Sequence, residues 1–321
     1  MKEKILEYLF THQEEFTSGE VLRKKFNVSR TAIWKHIKTL KEEGYQITSI
    51  SNKGYQLQIE EDQLVSYELE KILGKEIEVF QSIDSTNNYL KRGMQDFPDK
   101  KMVLSEEQKQ GRGRLGRDWY SPKGAGLFFS MLLKPKISMQ ESFKITGIAA
   151  AAVAEAIEEV TGLPAKIKWP NDITVNGKKV CGILTEVSGE MDKINYLIVG
   201  IGINVNTPDF SADLKAMATS LYLEKKEKIS RKDLFVTLAK KFFYFYDDFT
   251  ERKNLQEVHG ILEGRSAILG KEIFVIRGEE KKQGMAMAIS EDGFLKVRYD
   301  SGEEEVLSSG EVSVRGLEGY L

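Results

Sequence analysis

Residues that commonly serve as metal ligands or nucleophiles are scarce in this sequence. One cysteine, Cys181, and three histidines occur among its 321 residues. A single cysteine excludes an internal disulfide and a zinc site built from cysteines, and it fits a reducing compartment. The scattered histidines offer little for metal ligation. We therefore expect a cytoplasmic protein and assign no metal-binding residues.

Long apolar runs are missing as well. No segment approaches the roughly 20 apolar residues that span a bilayer, and the first residues lack the charged-then-apolar pattern of a secretory signal. We expect no membrane association. Hydrophobic residues make up 41% and charged residues 30% of the chain, which is typical of a globular protein. The length allows two or three domains.

Positive and negative charges are unevenly distributed along the chain. The net charge is −2, but residues 1–58 carry 10 Lys and Arg against 7 Asp and Glu. The remainder is correspondingly acidic, with a net charge of −5. A mildly basic segment followed by an acidic body predicts a small nucleic-acid-binding module joined to a larger part.

The basic segment has the pattern of three helices and a hairpin. Apolar residues recur at helical spacing near its start, and Ser18 and Ser29 are suited to cap two further helices. The second of these helices is expected over about 30–43. Two alternating segments within 45–59 then predict a hairpin. Together these elements predict a winged helix-turn-helix domain.

The predicted DNA-binding residues lie on the outward side of the last helix and at the tip of the wing. On that helix, Ile33, Ile37 and Leu40 have the spacing of an inward face. The opposite side would enter a major groove, with the wing beside phosphates. The residues that we assign to DNA binding are Arg30, Thr31, Trp34, Lys35, Lys38 and Lys53. The alternative is a protein-interaction module with a solvated charged face, but an outward tryptophan among basic residues favours DNA.

A short acidic segment, 59–66, marks the first domain boundary because it is weakly patterned. Beyond residue 266, short strand patterns alternate with glycine turns, which predicts a small antiparallel β-barrel without a catalytic constellation. The predicted domains are therefore 1–65, 66–265 and 266–321. A helix expected over 231–252 carries a run of aromatic residues, which we assign to core and interface rather than to a cofactor site.

The central domain contains a glycine- and arginine-rich segment, Gly111-Arg112-Gly113-Arg114-Leu115-Gly116-Arg117. Glycine allows positive φ and a close approach of the backbone to a ligand, while guanidinium groups are forked donors for carboxylate and phosphate oxygens. The segment predicts an anion-binding loop that is mobile without its anion. A solvated basic loop and a nucleic-acid-binding tail are alternatives that this segment alone leaves open.

Four further segments place polar groups beside predicted strands. Ser85-Thr86-Asn87 follows one strand, where these residues could simply cap a helix. The run Lys168-Trp169-Pro170-Asn171-Asp172 ends another strand, since proline cannot donate a sheet hydrogen bond. Lys179 follows the Asn176-Gly177 turn of a predicted hairpin, and a solvated charge is its simplest interpretation. The glycines of Gly200-Ile201-Gly202-Ile203-Asn204 would let a flat ligand lie against the backbone.

Four of these segments, in this order and spacing, resemble the motifs of biotin protein ligases: 111–119, 168–172, 179–184 and 200–204. With its N-terminal winged helix, the chain resembles the bifunctional bacterial ligases that also repress the biotin operon. The resemblance covers the whole chain and implies an α+β multidomain protein. Its central α/β domain would have the class II synthetase-like biotin/lipoate ligase fold, and its C-terminal domain would be a small Src-homology-3-like barrel. Leu115, Ile201 and Cys181 depart conservatively from the family pattern.

The resemblance implies a two-step reaction without a covalent enzyme intermediate. Biotin's carboxylate attacks the α-phosphorus of MgATP to give biotinyl-5′-AMP and pyrophosphate, and a lysine of a biotin carboxyl carrier domain then takes the biotinyl group. The sequence agrees, because it offers cationic donors but no visible nucleophile with an attendant base. The implied partners are the carrier proteins of acetyl-CoA carboxylase and pyruvate carboxylase, operator DNA and a second copy of the chain. Biotinyl-5′-AMP is also the implied corepressor.

The family's site residues carry over position by position. Those implied to bind biotin are Ser85, Thr86, Asn87, Gln108, Arg112, Gly113, Arg114, Lys179 and Gly182. Those implied on the nucleotide side are Arg117, Trp119, Asn171 and Asn204, with Trp119 near the adenine. The implied catalytic residues are Lys179, Arg114 and Asp172. Among these, Lys179 would stabilise the forming mixed anhydride, and Asp172 would help the incoming lysine lose its proton.

Two rival interpretations are weighed against this one. A lipoate ligase shares the fold class and the adenylating chemistry, but it resembles this chain less well at the arginine-rich loop. A transcription factor that senses biotin without catalysis would not need Lys179, Arg114 and Asp172 together. Biotinylation of a carrier domain in the presence of biotin and MgATP distinguishes the three possibilities.

Overall fold

The first 58 residues contain three helices followed by a two-stranded hairpin, as the sequence predicts. The computed structural model describes residues 1–59, 62–190, 193–308 and 313–316. The elements of this first unit are α1 Lys2–Thr11, α2 Gly19–Phe26, α3 Arg30–Glu42, β1 Gln46–Ile50 and β2 Gly54–Gln58. The Ser18 hydroxyl accepts a hydrogen bond from the backbone N–H three residues ahead, and Ser29 does the same. Both predicted helix caps are therefore confirmed.

The winged helix-turn-helix unit has its own apolar core. Its buried residues are Ile5, Leu6, Leu9, Leu22, Ile33, Ile37, Leu40, Ile47 and Leu57. The three inward residues predicted on α3 are all in this core, so the opposite, basic side of α3 points to solvent.

A seven-stranded sheet forms the centre of the protein. Its strands are β3 Ile77–Phe80, β4 Lys101–Ser105, β5 Leu127–Leu133, β6 Lys166–Lys168, β7 Asp172–Val175, β8 Lys178–Glu190 and β9 Lys193–Ile203. Their order across the sheet is β3-β4-β5-β9-β8-β7-β6. Strands β3 and β4 pair in parallel, whereas the remaining neighbours pair antiparallel. The predicted Asn176-Gly177 turn is confirmed between β7 and β8, with φ of 50° and 78°.

The central sheet is covered by helices with closely packed faces. They are α4 Ser66–Leu73, α5 Thr86–Gly93, α6 Ser142–Thr161, α7 Ala212–Lys215, α8 Leu221–Lys225, α9 Arg231–Arg252 and α10 Gln256–Gly264. The alanines of α6 at 149–152 are completely buried, and their small side chains let α9 approach closely. In the aromatic run of α9, Phe242, Phe243, Phe245 and Tyr246 are buried, which confirms their assignment to the core, whereas Tyr244 is 61% exposed and lies outside it. Among the described residues, no helix is both long and apolar enough to cross a membrane.

Asp62, just after the first unit, is tied to the central domain by Arg231 at the start of α9. The Arg231 guanidinium lies 2.8 Å from Oδ2 of Asp62 and 2.6 Å from Oε2 of Glu106. Arg231 is 5% exposed and Glu106 is 6% exposed, so each of these buried charges depends on its partner. The predicted linker, 59–66, also includes residues 60–61, which lie outside the described residues.

The C-terminal part forms a five-stranded antiparallel sheet. Its strands are β10 Glu272–Arg277, β11 Glu280–Ile289, β12 Leu295–Tyr299, β13 Glu304–Leu307 and β14 Ser313–Gly316. Their order is β13-β12-β11-β10-β14, so β13 and β14 are the two edges and the described strands do not close into a barrel. The predicted domain 266–321 also includes 309–312 and 317–321, which lie outside the described residues.

Candidate functional site

A cavity of about 1010 Å³ opens beside the middle of the central sheet, between the glycine- and arginine-rich loop and strands β8 and β9. All the residues that the sequence analysis assigned to the ligand site line this cavity. They are Ser85, Thr86, Asn87, Gln108, Arg112, Gly113, Arg114, Arg117, Trp119, Asn171, Asp172, Lys179, Gly182 and Asn204. Folding thus brings together segments that are more than 100 residues apart in the chain.

The buried end of the cavity is polar. The carbonyl oxygen of the Gln108 side chain accepts a hydrogen bond of 2.9 Å from the backbone N–H of Thr86, and its amide nitrogen donates to Ser121 Oγ at 3.1 Å. Helix α5 begins at Thr86, and Ser85 precedes it without a side-chain capping bond. Capping therefore does not explain the buried Ser85 hydroxyl, which is 2% exposed.

The glycine- and arginine-rich segment forms a loop closed on itself, with one short 3-10 turn over Arg114–Gly116. Backbone hydrogen bonds join Gly113 N to Arg117 O at 2.7 Å and Trp119 N to Gly111 O at 2.8 Å. A Cβ atom at Gly111 would lie 2.5 Å from Trp119 O, so this glycine is required for the close return of the chain. Leu115, at the tip, has φ of 56° and is 65% exposed.

Arg114 is the arginine of this loop that reaches into the cavity wall. Its Nη1 donates a hydrogen bond of 2.9 Å to Oδ1 of Asn171. Burial lowers the pKa of Arg114, and the nearby Asp172 carboxylate opposes that shift. Arg112 and Arg117 are exposed, so the loop combines one inserted cation with two at the cavity mouth.

Lys179 and Asp172 form an ion pair at the wall opposite the loop. The distance from Lys179 Nζ to Asp172 Oδ1 is 2.5 Å, and the two side chains are 24% and 16% exposed. The β7–β8 register advances two residues on β8 against one on β7, which makes Val180 a bulge residue. Bulges redirect neighbouring side chains. A solvated hairpin charge does not describe the position of Lys179.

Lys168 is a buried cation next to this pair that the sequence analysis did not assign to the site. It is 4% exposed. Burial lowers the pKa of its ammonium to about 7, although Asp172 acts in the opposite direction. Lys179, Arg315 and Arg117 contribute to the same lowering. The residues around Asp172 therefore form a strongly cationic wall, suited to phosphate or carboxylate oxygens.

Trp119 lies flat against the glycines of β8 and β9. A Cβ atom at Gly202 would clash with its indole ring, and one at Gly182 would lie 2.8 Å from its Cζ3 atom. The sequence analysis expected a flat ligand against the 200–204 glycines; in this structure the Trp119 ring occupies that surface at Gly202. Its indole Nε1 is buried, with no hydrogen-bond partner among the residues that the structure describes.

Further cavity-lining residues come from segments that the sequence analysis left out. The segment 210–218 contributes Phe210, Leu214, Met217 and Ala218, and the C-terminal sheet contributes Arg315. Residues 217–219 are held by Lys179, whose backbone N–H donates to Met217 O at 2.8 Å. Neither segment carries a recognisable local motif, so tertiary contacts alone identify them.

The six predicted DNA-binding residues lie apart from the cavity, on the winged helix-turn-helix unit. Arg30, Thr31, Trp34, Lys35 and Lys38 are all exposed on α3, and Lys53 is exposed in the turn of the β1–β2 hairpin. Trp34 is 54% exposed, with Lys38 Nζ 5.7 Å from its ring centroid. A large exposed aromatic ring among cations is the surface expected to meet another molecule.

Histidine, cysteine and carboxylate residues do not cluster in the described parts of the chain. Groups of three or more that could hold a metal ion are absent from residues 1–59, 62–190, 193–308 and 313–316. Cys181 is completely buried, and burial raises the pKa of its thiol well above the ordinary value. Its side chain is therefore a small apolar group behind the cavity wall.

Three family models match successive parts of the chain. Residues 2–56 match an HTH domain, residues 79–204 match the biotin/lipoate A/B protein ligase family, and residues 268–315 match the biotin protein ligase C terminal domain. The fold and cavity thus define a ligase-type catalytic domain that carries a helix-turn-helix unit and a C-terminal domain.

Relatives of known function align with nearly the whole of this chain. The chain is 34% identical to the bifunctional ligase/repressor BirA of Bacillus subtilis (strain 168), over 96% of this chain and 97% of that relative. It is 28% identical to the bifunctional ligase/repressor BirA of Escherichia coli (strain K12), over 95% of this chain and 94% of that one. A solved biotin protein ligase from Aquifex aeolicus, in complex with biotin and ATP, is 34% identical with a TM-score of 0.67. The superposition covers 75% of this chain and 98% of the Aquifex aeolicus chain. This chain belongs to the biotin protein ligase family.

Proposed function

We propose that this chain is an ATP-dependent biotin protein ligase that also represses the biotin operon. It forms biotinyl-5′-AMP from biotin and ATP, and it transfers biotin to a lysine of a biotin carboxyl carrier protein. The observation that carries this proposal is the cavity, because every implied ligand residue lines one space whose wall is cationic. The similarity to ligase/repressors over nearly the whole chain supports it.

Biotin occupies the buried polar end of the cavity. Ser85, Thr86, Asn87 and Gln108 offer hydroxyl and amide groups to its ureido ring, and 112–114 close over the bound molecule. Gly182 leaves room for the ring system. Ser85, Thr86 and Asn87 are at most 4% exposed. Water has little access to their polar atoms, so hydrogen bonds to biotin can satisfy groups that would otherwise lack a partner.

Lys179 lies beside the biotin carboxylate and stabilises the negative charge that grows as the mixed anhydride forms. Arg114, which reaches from the loop to Asn171 next to Asp172, contributes a second cation. Asp172, 2.5 Å from Lys179 Nζ, holds the ammonium in place. The reaction requires alignment and charge stabilisation rather than a protein nucleophile, and this arrangement supplies both.

The nucleotide lies nearer the mouth of the cavity. Arg117 and Trp119 cover the adenylate, and the buried Trp119 Nε1 supplies an N–H donor. Asn171 and Asn204 line the same side, and Arg315 adds a cation from the C-terminal sheet. A polar, cationic lining of this kind matches adenine and phosphate better than an apolar acyl chain.

Mg²⁺ would accompany ATP on the nucleotide side of the cavity. This ion is usually held by one or two carboxylates together with substrate phosphates and water, and Asp172, 16% exposed beside the cationic wall, fits that donor set. The ion supplies charge neutralisation at the phosphates when bound. In the transfer step, Asp172 helps the incoming carrier lysine lose its proton, because that amine must be neutral to attack.

The repressor activity belongs to the winged helix-turn-helix unit. With biotinyl-5′-AMP as corepressor, the chain forms a homodimer that places two α3 helices in the major groove of the biotin operator. The domains are 1–65 for DNA binding, 66–265 for ligation and 266–321 as a small C-terminal domain, whose open five-stranded sheet corresponds to a Src-homology-3-like fold rather than to a closed barrel. The carriers are those of acetyl-CoA carboxylase and pyruvate carboxylase, in the cytoplasm. The exposed basic face of α3 supports DNA as the partner.

A mass measurement on a carrier domain tests the ligase proposal. The full chain is incubated with MgATP and a biotin carboxyl carrier domain, with either biotin or lipoate added. We expect a mass increase equal to one biotinyl group on the carrier, and no change with lipoate. Modification by lipoate alone would indicate a lipoate ligase, and an unmodified carrier under both conditions would indicate a sensor without catalysis.

A further inference from the structure

Glu186, near the end of β8, contacts the proposed biotin-binding residues, and no motif assigns it a role. Its Oε2 accepts a hydrogen bond of 2.8 Å from Nδ2 of Asn87. Its Oε1 lies 3.6 Å from Lys91 Nζ and 3.9 Å from Arg112 Nη1. The Glu186 side chain is 21% exposed, whereas Asn87 is 4% exposed. The carboxylate therefore lies between two surface cations and one buried amide.

This contact determines which way the Asn87 amide points. A carboxylate accepts hydrogen bonds and cannot donate them, so Asn87 must present its NH₂ group to Glu186. The Asn87 Oδ1 atom then points to the opposite side, where it accepts a hydrogen bond of 2.5 Å from the Ser130 hydroxyl. Gly200 makes this position possible, because a Cβ atom there would clash with Oδ1.

The orientation of Asn87 propagates through the neighbouring hydroxyl groups. Ser130 has one hydroxyl proton, and that proton is donated to Asn87. Thr86 Oγ1 lies 2.6 Å from Ser130 Oγ and 3.1 Å from Oε1 of Gln108. Because the Ser130 proton is already used, the single Thr86 proton serves one or the other of these two acceptors. Thr86 and Ser130 are 3% and 0% exposed, and water does not compete for these bonds. One carboxylate thus sets the orientation of the Asn87 amide and the proton position of Ser130, and it leaves Ser130 Oγ as an acceptor for Thr86 at the buried end of the cavity.

We propose that Glu186 is a positioning residue that sets the donor and acceptor pattern of the biotin pocket. The proposal rests on the proposed function, in which residues 85–87 receive the ureido ring. A ureido group presents one acceptor oxygen between two N–H donors, so a pocket with ordered protons distinguishes it from groups of the same shape. Without the carboxylate, both orientations of the Asn87 amide become accessible and the order of the protons is lost.

A comparison of biotin with 2-iminobiotin tests whether Glu186 affects the hydrogen-bond pattern of the pocket or only its packing. The two molecules have nearly the same shape, but 2-iminobiotin is a cyclic guanidine that is cationic at neutral pH and carries N–H donors where biotin carries the acceptor oxygen. Its added charge responds to loss of the Glu186 carboxylate in Glu186→Ala and in Glu186→Gln alike, so the difference between these two variants reports the hydrogen-bond pattern. The dissociation constants of both are measured by calorimetry on the full-length wild type, Glu186→Ala and Glu186→Gln. Asp248→Ala is the matched control, because it removes a carboxylate that accepts a 2.7 Å bond from an asparagine amide, Asn254, outside the cavity.

We expect Glu186→Ala to weaken biotin binding about tenfold, as the loss of a charged acceptor predicts, and to shrink the preference for biotin over 2-iminobiotin severalfold. Glu186→Gln can still accept from Asn87, but its NH₂ group can also donate to the Asn87 oxygen, so its affinity and its preference should fall between those of the wild type and Glu186→Ala. Asp248→Ala should leave both constants unchanged.

Two results would overturn the proposal. One is an unchanged preference in Glu186→Ala, which would leave Glu186 with a packing role at most. The other is an equal defect in Glu186→Gln and Glu186→Ala, which would assign the effect to charge pairing with Lys91 and Arg112. A wild-type chain that binds neither biotin nor 2-iminobiotin would instead contradict the proposed function.

Discussion

The Lys179 Nζ atom lies 2.5 Å from Asp172 Oδ1, across the paired strands β7 and β8. An ammonium held in this way is aligned before substrate binds. We therefore expect it to stabilise the transition state, where negative charge develops, more than it strengthens the initial binding of biotin.

We expect Lys179→Ala to slow adenylate synthesis by about 100-fold, while the biotin dissociation constant changes by less than about threefold. Pyrophosphate release and calorimetry measure the two quantities. Lys178→Ala is the matched control, because this neighbouring lysine is exposed and should leave both values unchanged. Equal losses in rate and in affinity for Lys179→Ala would show that Lys179 is a binding residue only.

The loop 111–119 should become ordered when biotinyl-5′-AMP binds. Its glycines make ordering entropically costly, and its three arginines repel one another until an anion arrives. We expect hydrogen exchange along 111–119 to slow at saturating biotinyl-5′-AMP, most strongly near the exposed tip at Leu115. The exposed turn at 300–303 serves as the internal reference. Exchange in 111–119 that does not respond to the ligand would contradict this expectation.

Lys168 should make the stability of the protein depend on pH in a defined window. Burial lowers its pKa from 10.5 to about 7. Below pH 7 the ammonium is charged in both folded and unfolded chains, and the cost of burying it is fully present. Between pH 7 and 10.5 the unfolded chain binds the extra proton, so the free energy of unfolding rises with pH.

A methionine at this position removes that dependence. We expect the stability advantage of Lys168→Met over the wild type to shrink by on the order of 2 kcal/mol from pH 7 to pH 9. Urea unfolding at several pH values measures it. Lys166→Met, on the exposed side of β6, should show a difference from wild type that does not change with pH. The same constancy in Lys168→Met would contradict a lowered pKa.

Biotinyl-5′-AMP, rather than biotin alone, should promote a homodimer that binds an inverted-repeat operator. One α3 helix reads too few base pairs for specificity in a genome, and a two-fold dimer matched to a palindrome doubles the contacts. Sedimentation should give a larger association constant with biotinyl-5′-AMP than with biotin, and footprinting should protect two half-sites. Equal association constants, or protection of a lone half-site, would refute this coupling.

Removal of residues 1–58 separates the two activities. The shortened chain should lose operator binding while retaining some ligation, because the cavity-lining residues lie beyond residue 84 and Asp62 keeps its contacts with Arg231. Trp34→Ala in the full chain is the milder counterpart and should weaken operator binding alone. Loss of ligation in the shortened chain would show that the parts are not separable at 59–66.

Local patterns predicted the secondary structure well, whereas the cavity depended on the family resemblance. Helix α9 spans the expected residues, 231–252, because Ser230 caps it and its apolar residues follow helical spacing. The contact between Asn87 and Glu186 joins residues 99 positions apart, and no local pattern indicates it. Arg315 reaches the cavity from the separate C-terminal sheet, and no local pattern indicates this position either. Whether that sheet closes into a barrel depends on which strands pair. The alternation of apolar and polar residues predicts the strands but does not determine their pairing.

Native mass spectrometry of the full chain, mixed with biotin and MgATP but no carrier, tests the central claim most directly. We expect one biotinyl-5′-AMP held non-covalently by each chain, because adenylation is completed before transfer and no protein nucleophile takes part. Addition of a carrier domain should discharge this species and biotinylate the carrier. A chain that retains only biotin or ATP, or one that keeps a covalent biotinyl or adenylyl adduct after denaturation, would contradict the proposed reaction.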